Sequence, residues 1–284
     1  MESSIKFLSN NKAVQELAKL RTVDKTCPIH PEQQLVQLPG KPPFCPKCQQ
    51  AAIAQQNQRM AKFYTAKFKK RQTTETLQRD SIFDDPELGK ATFNTFQAVG
   101  EEAQRNFNLA RHIAGEYLDP AVKFNTLFTG DPGRGKSHLA LSILKTVNEH
   151  SPKPTACLFI NVNELFRLIK AGFGYTNEDY KYTEDNMTKL LTKKTDLLVL
   201  DDLGAEASFK RFDKHNPAQA SEYVQRVLYG IVNGRNRTII TTNLTSEQLS
   251  TMYNPKLVSR LYTGIKGHII KFTNATKDHR GIEF

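Results

Sequence analysis

The chain lacks several things, and each absence narrows what it does. No apolar run in its 284 residues approaches the roughly 18 needed to cross a bilayer. The opening Met1-Glu2-Ser3-Ser4-Ile5-Lys6 has none of the apolar stretch that directs a chain to secretion. A cytosolic, cytoplasmic protein with no membrane partner is therefore expected. Cysteine is scarce, with 4 in the whole chain, and in a reducing compartment disulfides are not expected of them. Proline and glycine are missing from Gln49 to Gln78, so nothing there breaks a helix. Acids are missing between Arg59 and Arg71, where Lys62, Lys67, Lys69 and Lys70 add to the positive charge. The whole chain carries +11, which favours polyanions such as nucleic acid, although a solvated surface can also be basic.

What is present begins with the spacing of those cysteines. Cys27-Pro28-Ile29-His30 and Cys45-Pro46-Lys47-Cys48 each hold two ligand types two residues apart, with 14 residues between the pairs. Two tight turns with two ligands each are how small modules build a tetrahedral zinc site. Three thiolates and one imidazole suit Zn2+, and a full set of four suits a structural site. Such a module is too small to hold a core without metal, and docking to a partner or touching nucleic acid is its expected task. Cys157, inside the apolar Ala156-Cys157-Leu158-Phe159-Ile160, reads as a buried strand residue.

A short helix over residues 10–20 is expected before this module, with Val14, Leu17 and Leu20 on one face. After it, the stretch to Gln78 reads as helix with at most one break, with Ile53, Met60, Tyr64 and Phe68 able to share a face. Phe63, Tyr64 and Phe68 interleave with basic residues, as a nucleic-acid contact would require. An amphipathic helix with a basic solvated face, packing on a partner, is the preferred reading. Asp84-Asp85-Pro86-Glu87-Leu88-Gly89 then looks like a linker. The expected division is 1–50 as a zinc-binding docking module, 51–90 as a helical basic linker and 91–284 as a nucleotide-binding domain.

Gly130-Asp131-Pro132-Gly133-Arg134-Gly135-Lys136-Ser137 has the G-x-x-x-x-G-K-S spacing of a phosphate-cradling loop. The β-prone Phe124 to Thr129 precedes it, and His138 opens a run of good helix formers after it. Glycines let backbone N–H groups approach a polyphosphate at a helix N-terminus. Lys136 would reach the β and γ phosphates, and Ser137 would hold Mg2+. Gly130 to His138 form the candidate nucleotide-binding set.

From Ala91 onward strands and helices alternate. Helices are expected over Glu101–Tyr117, from Asn163 to a break at Gly172, and over Ala218–Val232. Further strands are expected at 155–160, 197–200, 238–242 and 268–272. Apolar strands with intervening helices mean a parallel sheet covered on both faces. Leu197-Leu198-Val199-Leu200 ends in Asp201-Asp202, the acidic half of an ATP site. Asp201 would hold Mg2+ through water, and Asp202 would polarise the attacking water. Asn243 follows the next strand and would place an amide near the γ phosphate. Arg260 and Arg280 are candidates to stabilise charge on a transferring phosphoryl group.

Gly130 to Ser137, the LLVLDDLGAE of Leu197 to Glu206, Thr241 to Asn243 and Ser259-Arg260-Leu261 together resemble the AAA+ ATPases of the DnaC/DnaI and IstB group. The likeness covers about residues 91–284, and the zinc module ahead of it resembles DnaI-type replicative helicase loaders. It implies an α/β AAA+ P-loop fold, ATP hydrolysis, and Arg260 as a finger reaching the ATP of an adjacent subunit. It makes Arg280 the sensor-2 arginine and Asn243 sensor 1. It implies an N-terminal module that binds a DnaB-type hexameric helicase, and ATPase domains that form a ring or spiral. A helical element near 163–182 would meet single-stranded DNA, with Lys170, Phe173 and Tyr175 as contacts. The expected function is ATP-dependent loading of that helicase onto single-stranded DNA at replication initiation. An IstB-like helper of transposition and a non-catalytic zinc-containing adaptor are the alternatives. Asp202 departs from the glutamate many AAA+ proteins carry there, and its shorter side chain implies weaker water activation.

Overall fold

The computed structural model describes residues 19–207 and 219–276. The expected helix over 10–20, apart from its last two residues, lies outside them, as do Ala218 and Arg280. Contacts divide the chain into two compact units, Met1–Phe68 and Lys69–Phe284.

In the first unit, strands β1 (Arg21–Thr26) and β2 (Gln34–Gln37) pair antiparallel, and Val36 bridges to Phe44. The turn between the strands carries Cys27 and His30. Helix α1 (Pro46–Gln72) begins between Cys45 and Cys48, and no residue along it is buried. Among the described residues 19–68, only Cys27 and Cys45 are buried. Among these residues Leu35, Val36, Leu38, Phe44 and Cys48 are half-buried, so two thiols are the most deeply covered side chains.

In the second unit, short helix α2 (Thr76–Asp80) precedes two 3-10 turns, Pro86–Lys90 and Phe93–Thr95. Then follow α3 (Glu101–Tyr117), β3 (Thr126–Gly130), α4 (Lys136–His150), β4 (Cys157–Asn161), α5 (Val162–Ala171), α6 (Glu184–Lys193), β5 (Leu197–Asp201), α7 (Glu222–Val232), β6 (Thr238–Thr242), α8 (Ser246–Met252), α9 (Pro255–Leu261) and β7 (Ile269–Phe272). The five strands β3 to β7 form one parallel sheet in the order β4-β5-β6-β3-β7. Strand β5 shows why it is buried on both faces. Leu198 and Leu200 join the apolar cluster with α5 to α9, while Leu197 and Val199 join the cluster with α3 and α4. The expected fold class is the observed one.

The acidic stretch read as a linker is built into this unit. Ile82 lies beside the outer strand, its N–H donating to Phe159 O at 2.8 Å and its carbonyl accepting from Asn161 N–H at 2.8 Å. Asp85 caps the following 3-10 turn by accepting from Glu87 N–H. Backbone pairing with β4, which composition does not announce, holds the segment in place. Among the described residues no helix is long and apolar enough to cross a membrane.

Candidate nucleotide site

Strand order decides which side chains meet. β6 lies between β3 and β5, so the residue after β6 stands between the glycine-rich loop and the acids. Asn243 is that residue. Lys136 Nζ donates to Asn243 Oδ1 at 2.7 Å and to the carbonyls of Gly130 and Asp131, both at 2.7 Å. Asn243 Nδ2 donates to Asp202 Oδ1 at 2.8 Å. A continuous polar line thus runs from loop to lysine to amide to carboxylate. It borders a cavity of ≈ 320 Å³.

The loop needs its glycines. Gly130 has φ 129°, and a Cβ there would lie 2.0 Å from the Phe272 carbonyl oxygen of β7. Gly135 has φ 90°, and its Cβ would meet the Phe96 ring at 2.6 Å. Asp131 and Pro132 are exposed, and Gly133 borders the cavity. Arg134 turns the other way. It donates to the Thr276 carbonyl and to Asn274, tying the loop to the chain after β7. His138 Nε2 lies 2.9 Å from Thr92 O, and its ring meets Phe96 edge-on at 5.3 Å.

Asp201 is 2% exposed at the end of β5. Burial pushes its carboxyl up to about 6, against hydrogen bonds from Ser137 and Thr241, and the charges of Asp202 and Asp84 add to the rise. A hydroxyl and a buried carboxylate short of positive charge are hard oxygen donors, and they fit Mg2+. Asp202 adopts φ 54°, a left-handed conformation that aspartate tolerates better than most residues.

Two features went unread in the sequence. Thr241 Oγ1 donates to Asp201 Oδ1 at 2.7 Å and accepts from Asp202 N–H at 2.9 Å, so it orients both acids. A hydroxyl at the end of an apolar strand is the signal that could have found it. Asp84 and Asp85 also border the cavity, and no sequence signal places them there, because the Ile82 pairing does so.

Arg260 is exposed on α9 and does not border the cavity; among the described residues its guanidinium has no hydrogen-bond or ion-pair partner. Arg280 lies outside the described residues. Lys170, Phe173 and Tyr175 are exposed, at the end of α5 and in the turns after it, with Phe173 59% and Tyr175 61% exposed.

In the first unit Cys27, His30, Cys45 and Cys48 bring their ligand atoms within 4.8 Å of one another. His30 Nδ1 lies 3.8, 3.7 and 3.3 Å from the sulfurs of Cys27, Cys45 and Cys48. Zn–S and Zn–N bonds of about 2.3 and 2.0 Å put tetrahedral ligand atoms roughly 3.5–3.8 Å apart, so the four fit that ion. Burial raises the Cys27 thiol, but the amides of Ile29 and His30 and the His30 and Cys48 side chains draw it down to about 6, while the Cys27 contact pushes the Cys48 thiol up to about 11, so without a metal the pair shares a proton.

The sheet order, glycine-rich loop, paired acids and intervening asparagine together have the form of a P-loop nucleotide site on a parallel α/β sheet. No protein-family model matches the chain. In sequence it is 26% identical over 176 residues to the uncharacterized protein YdaV of Escherichia coli strain K12, covering 61% of this chain and 62% of YdaV. It is 23% identical over 177 residues to the replicative helicase loader DnaC of the same strain, covering 61% and 63%. The chain thus matches less than two thirds of the length of these curated relatives. In fold it is similar to the crystal structure of the DnaC helicase loader, with TM-score 0.51 and 22% identity over 66% of this chain and 99% of that one. It is likewise similar to DnaI, with TM-score 0.50 and 22% identity over 67% and 95%. The likeness to DnaC/DnaI-type AAA+ helicase loaders read from the motifs holds in sequence and in fold.

Proposed function

We propose that the protein is an ATP-dependent loader that places a DnaB-type hexameric helicase on single-stranded DNA when replication starts. The observation that carries the nucleotide chemistry is the Lys136–Asn243–Asp202 line beside the loop. In the proposed site the backbone N–H groups of Gly133 to Lys136 cradle the phosphates. Lys136 exchanges its carbonyl and amide partners for phosphate oxygens. Ser137 and Asp201 would hold Mg2+, which would neutralise charge on the β and γ phosphates. Asp202 draws a proton from the attacking water, and Asn243 fixes the position of both. Arg260, exposed and outside the cavity, serves the nucleotide of a neighbouring subunit in a ring or spiral. Arg280 is assigned to the γ phosphate of its own subunit.

The zinc module and the basic helix form the helicase-docking part, and Lys170, Phe173 and Tyr175 the DNA-contacting part. Similarity to the replicative helicase loader DnaC supports the loader reading as a whole. The test is co-purification of the full chain with a DnaB-type hexamer, with and without ATP, beside a chain lacking residues 1–68. We expect a complex with the full chain alone. Equal capture by the truncated chain would overturn the docking role. Cooperative binding to duplex DNA with no helicase complex would point to a transposition helper instead.

A further inference from the structure

Two residues with no role in this scheme bridge the acids of β5 and the helix of Arg260. After Asp202 the chain turns through Leu203 and Gly204. Gly204 takes φ 109°, and a Cβ there would lie 2.5 Å from the Leu244 side chain. The Gly204 N–H donates to Glu206 Oε2 at 2.8 Å, so Glu206 closes the loop that Asp202 opens. Glu206 Oε1 accepts a hydrogen bond from the Tyr253 hydroxyl. Tyr253 is 2% exposed, and burial beside the carboxylate raises its phenol far above the usual range, so it keeps its proton and is the donor.

Tyr253 stands at a junction. It ends α8, which starts just after Asn243, and it precedes Asn254, whose side chain caps α9 by accepting from Lys256 N–H at 2.9 Å. The far end of α9 is also held. Asn125 Nδ2 donates to the carbonyls of Arg260 and Leu261 at 3.0 and 3.2 Å. Leu257, Val258 and Leu261 are buried, while the Arg260 side chain faces solvent. One end of the arginine helix is therefore pinned to the sheet, and the other is tied through Tyr253 and Glu206 to the loop of Asp202. An apolar pair would fill this space without the desolvation a carboxylate incurs, so the polar pair is not the cheapest packing.

We infer that Glu206 and Tyr253 are a positioning pair: they set how Arg260 is presented to a neighbouring subunit. The inference rests on the proposed reading of Arg260 as acting in trans. Glu206 sets the Tyr253 hydroxyl from the loop after Asp202, and Tyr253 in turn fixes where Asn254 starts α9.

A subunit-mixing experiment tests it. A Lys136→Ala chain donates Arg260 but holds no nucleotide, whereas an Arg260→Ala chain holds nucleotide but donates no arginine. The two mixed should hydrolyse ATP that neither hydrolyses alone. Tyr253→Phe added to the Lys136→Ala donor should cut the recovered rate about tenfold, and added to the Arg260→Ala acceptor should leave it within about twofold. A folding defect acts alike on both sides. Equal loss in the two positions, or no loss in either, therefore overturns the pair as a positioning device. No recovery in the parent mixture overturns the trans reading of Arg260, and this inference with it.

Discussion

Asn243 touches both halves of the candidate site, with Oδ1 on the lysine of the loop and Nδ2 on the carboxylate of Asp202. An amide of this length accepts on one side and donates on the other, whereas aspartate at 243 would leave Asp202 without its donor and set two like charges side by side. Asn243→Ala should lower ATP hydrolysis about 100-fold while the nucleotide Kd stays within about threefold, as steady-state rates and a fluorescent-nucleotide titration would read. A Kd that worsens in step with the rate would make Asn243 a binding residue only. Gly130 makes a different residue-scale demand. Its missing side chain is what lets β7 lie alongside, since a Cβ would sit 2.0 Å from the Phe272 carbonyl. Gly130→Ala should cost about 2–4 kcal/mol, seen as a lower denaturant midpoint, before any effect on nucleotide is considered.

At the scale of elements, the helices and strands that are regular in pattern were legible, and those fixed by distant partners were not. Glu101–Tyr117 and Thr238–Thr242 appear with the bounds their residue patterns give. Thr126–Gly130 and Cys157–Asn161 start two residues later than expected, because pairing with the neighbouring strand decides where a ladder begins. The paired acids and the glycine-rich loop could be read because each is contiguous in sequence. Thr241 and the Asp84 segment could not, because their places follow from the order β4-β5-β6-β3-β7 and from the Ile82 pairing. The same packing makes α2 testable. Thr76 Oγ1 donates to Cys157 O, and Asp80 accepts from Arg79 at 2.6 Å and pairs with Lys181 at 3.2 Å. Burial raises the Asp80 carboxyl, but hydrogen bonds from Arg79 and Lys181 outweigh it and hold the group below its usual value. A depressed carboxyl contributes stability above its unfolded value, and that stability is lost as pH falls through the lower folded value. Asp80→Asn should therefore cost about 1 kcal/mol at pH 7, the cations being partly exposed, or about 2–4 °C in Tm. The gap between the thermal melts of the two proteins should begin to narrow as pH falls through about 4, the value of an unfolded aspartate, and close only below the depressed folded value, where the wild-type carboxyl is itself protonated. A gap that persists in acid would mean that the cations are not what Asp80 supplies.

At the scale of the whole chain, the two units are stabilised by different means, and this separates what can be removed from each. The second has a two-sided apolar core. The first, among its described residues, buries two cysteines and nothing else. With so little else buried among those residues, the unit would depend on the proposed zinc for its fold. The purified chain should hold about one zinc, read by elemental analysis, and Cys48→Ser or a strong chelator should release it. Protease sites should then open before residue 69 while the second unit stays resistant. Helicase capture should vanish with the zinc, and the nucleotide Kd should stay within about twofold, since Lys136, Asp201, Asp202 and Asn243 all belong to the other unit. Lys136→Ala should do the reverse, abolishing nucleotide binding at full zinc content. If zinc loss weakens nucleotide binding as much as capture, the two tasks are not divided between the units, and the zinc module is then a support for the ATPase rather than the part that meets the helicase.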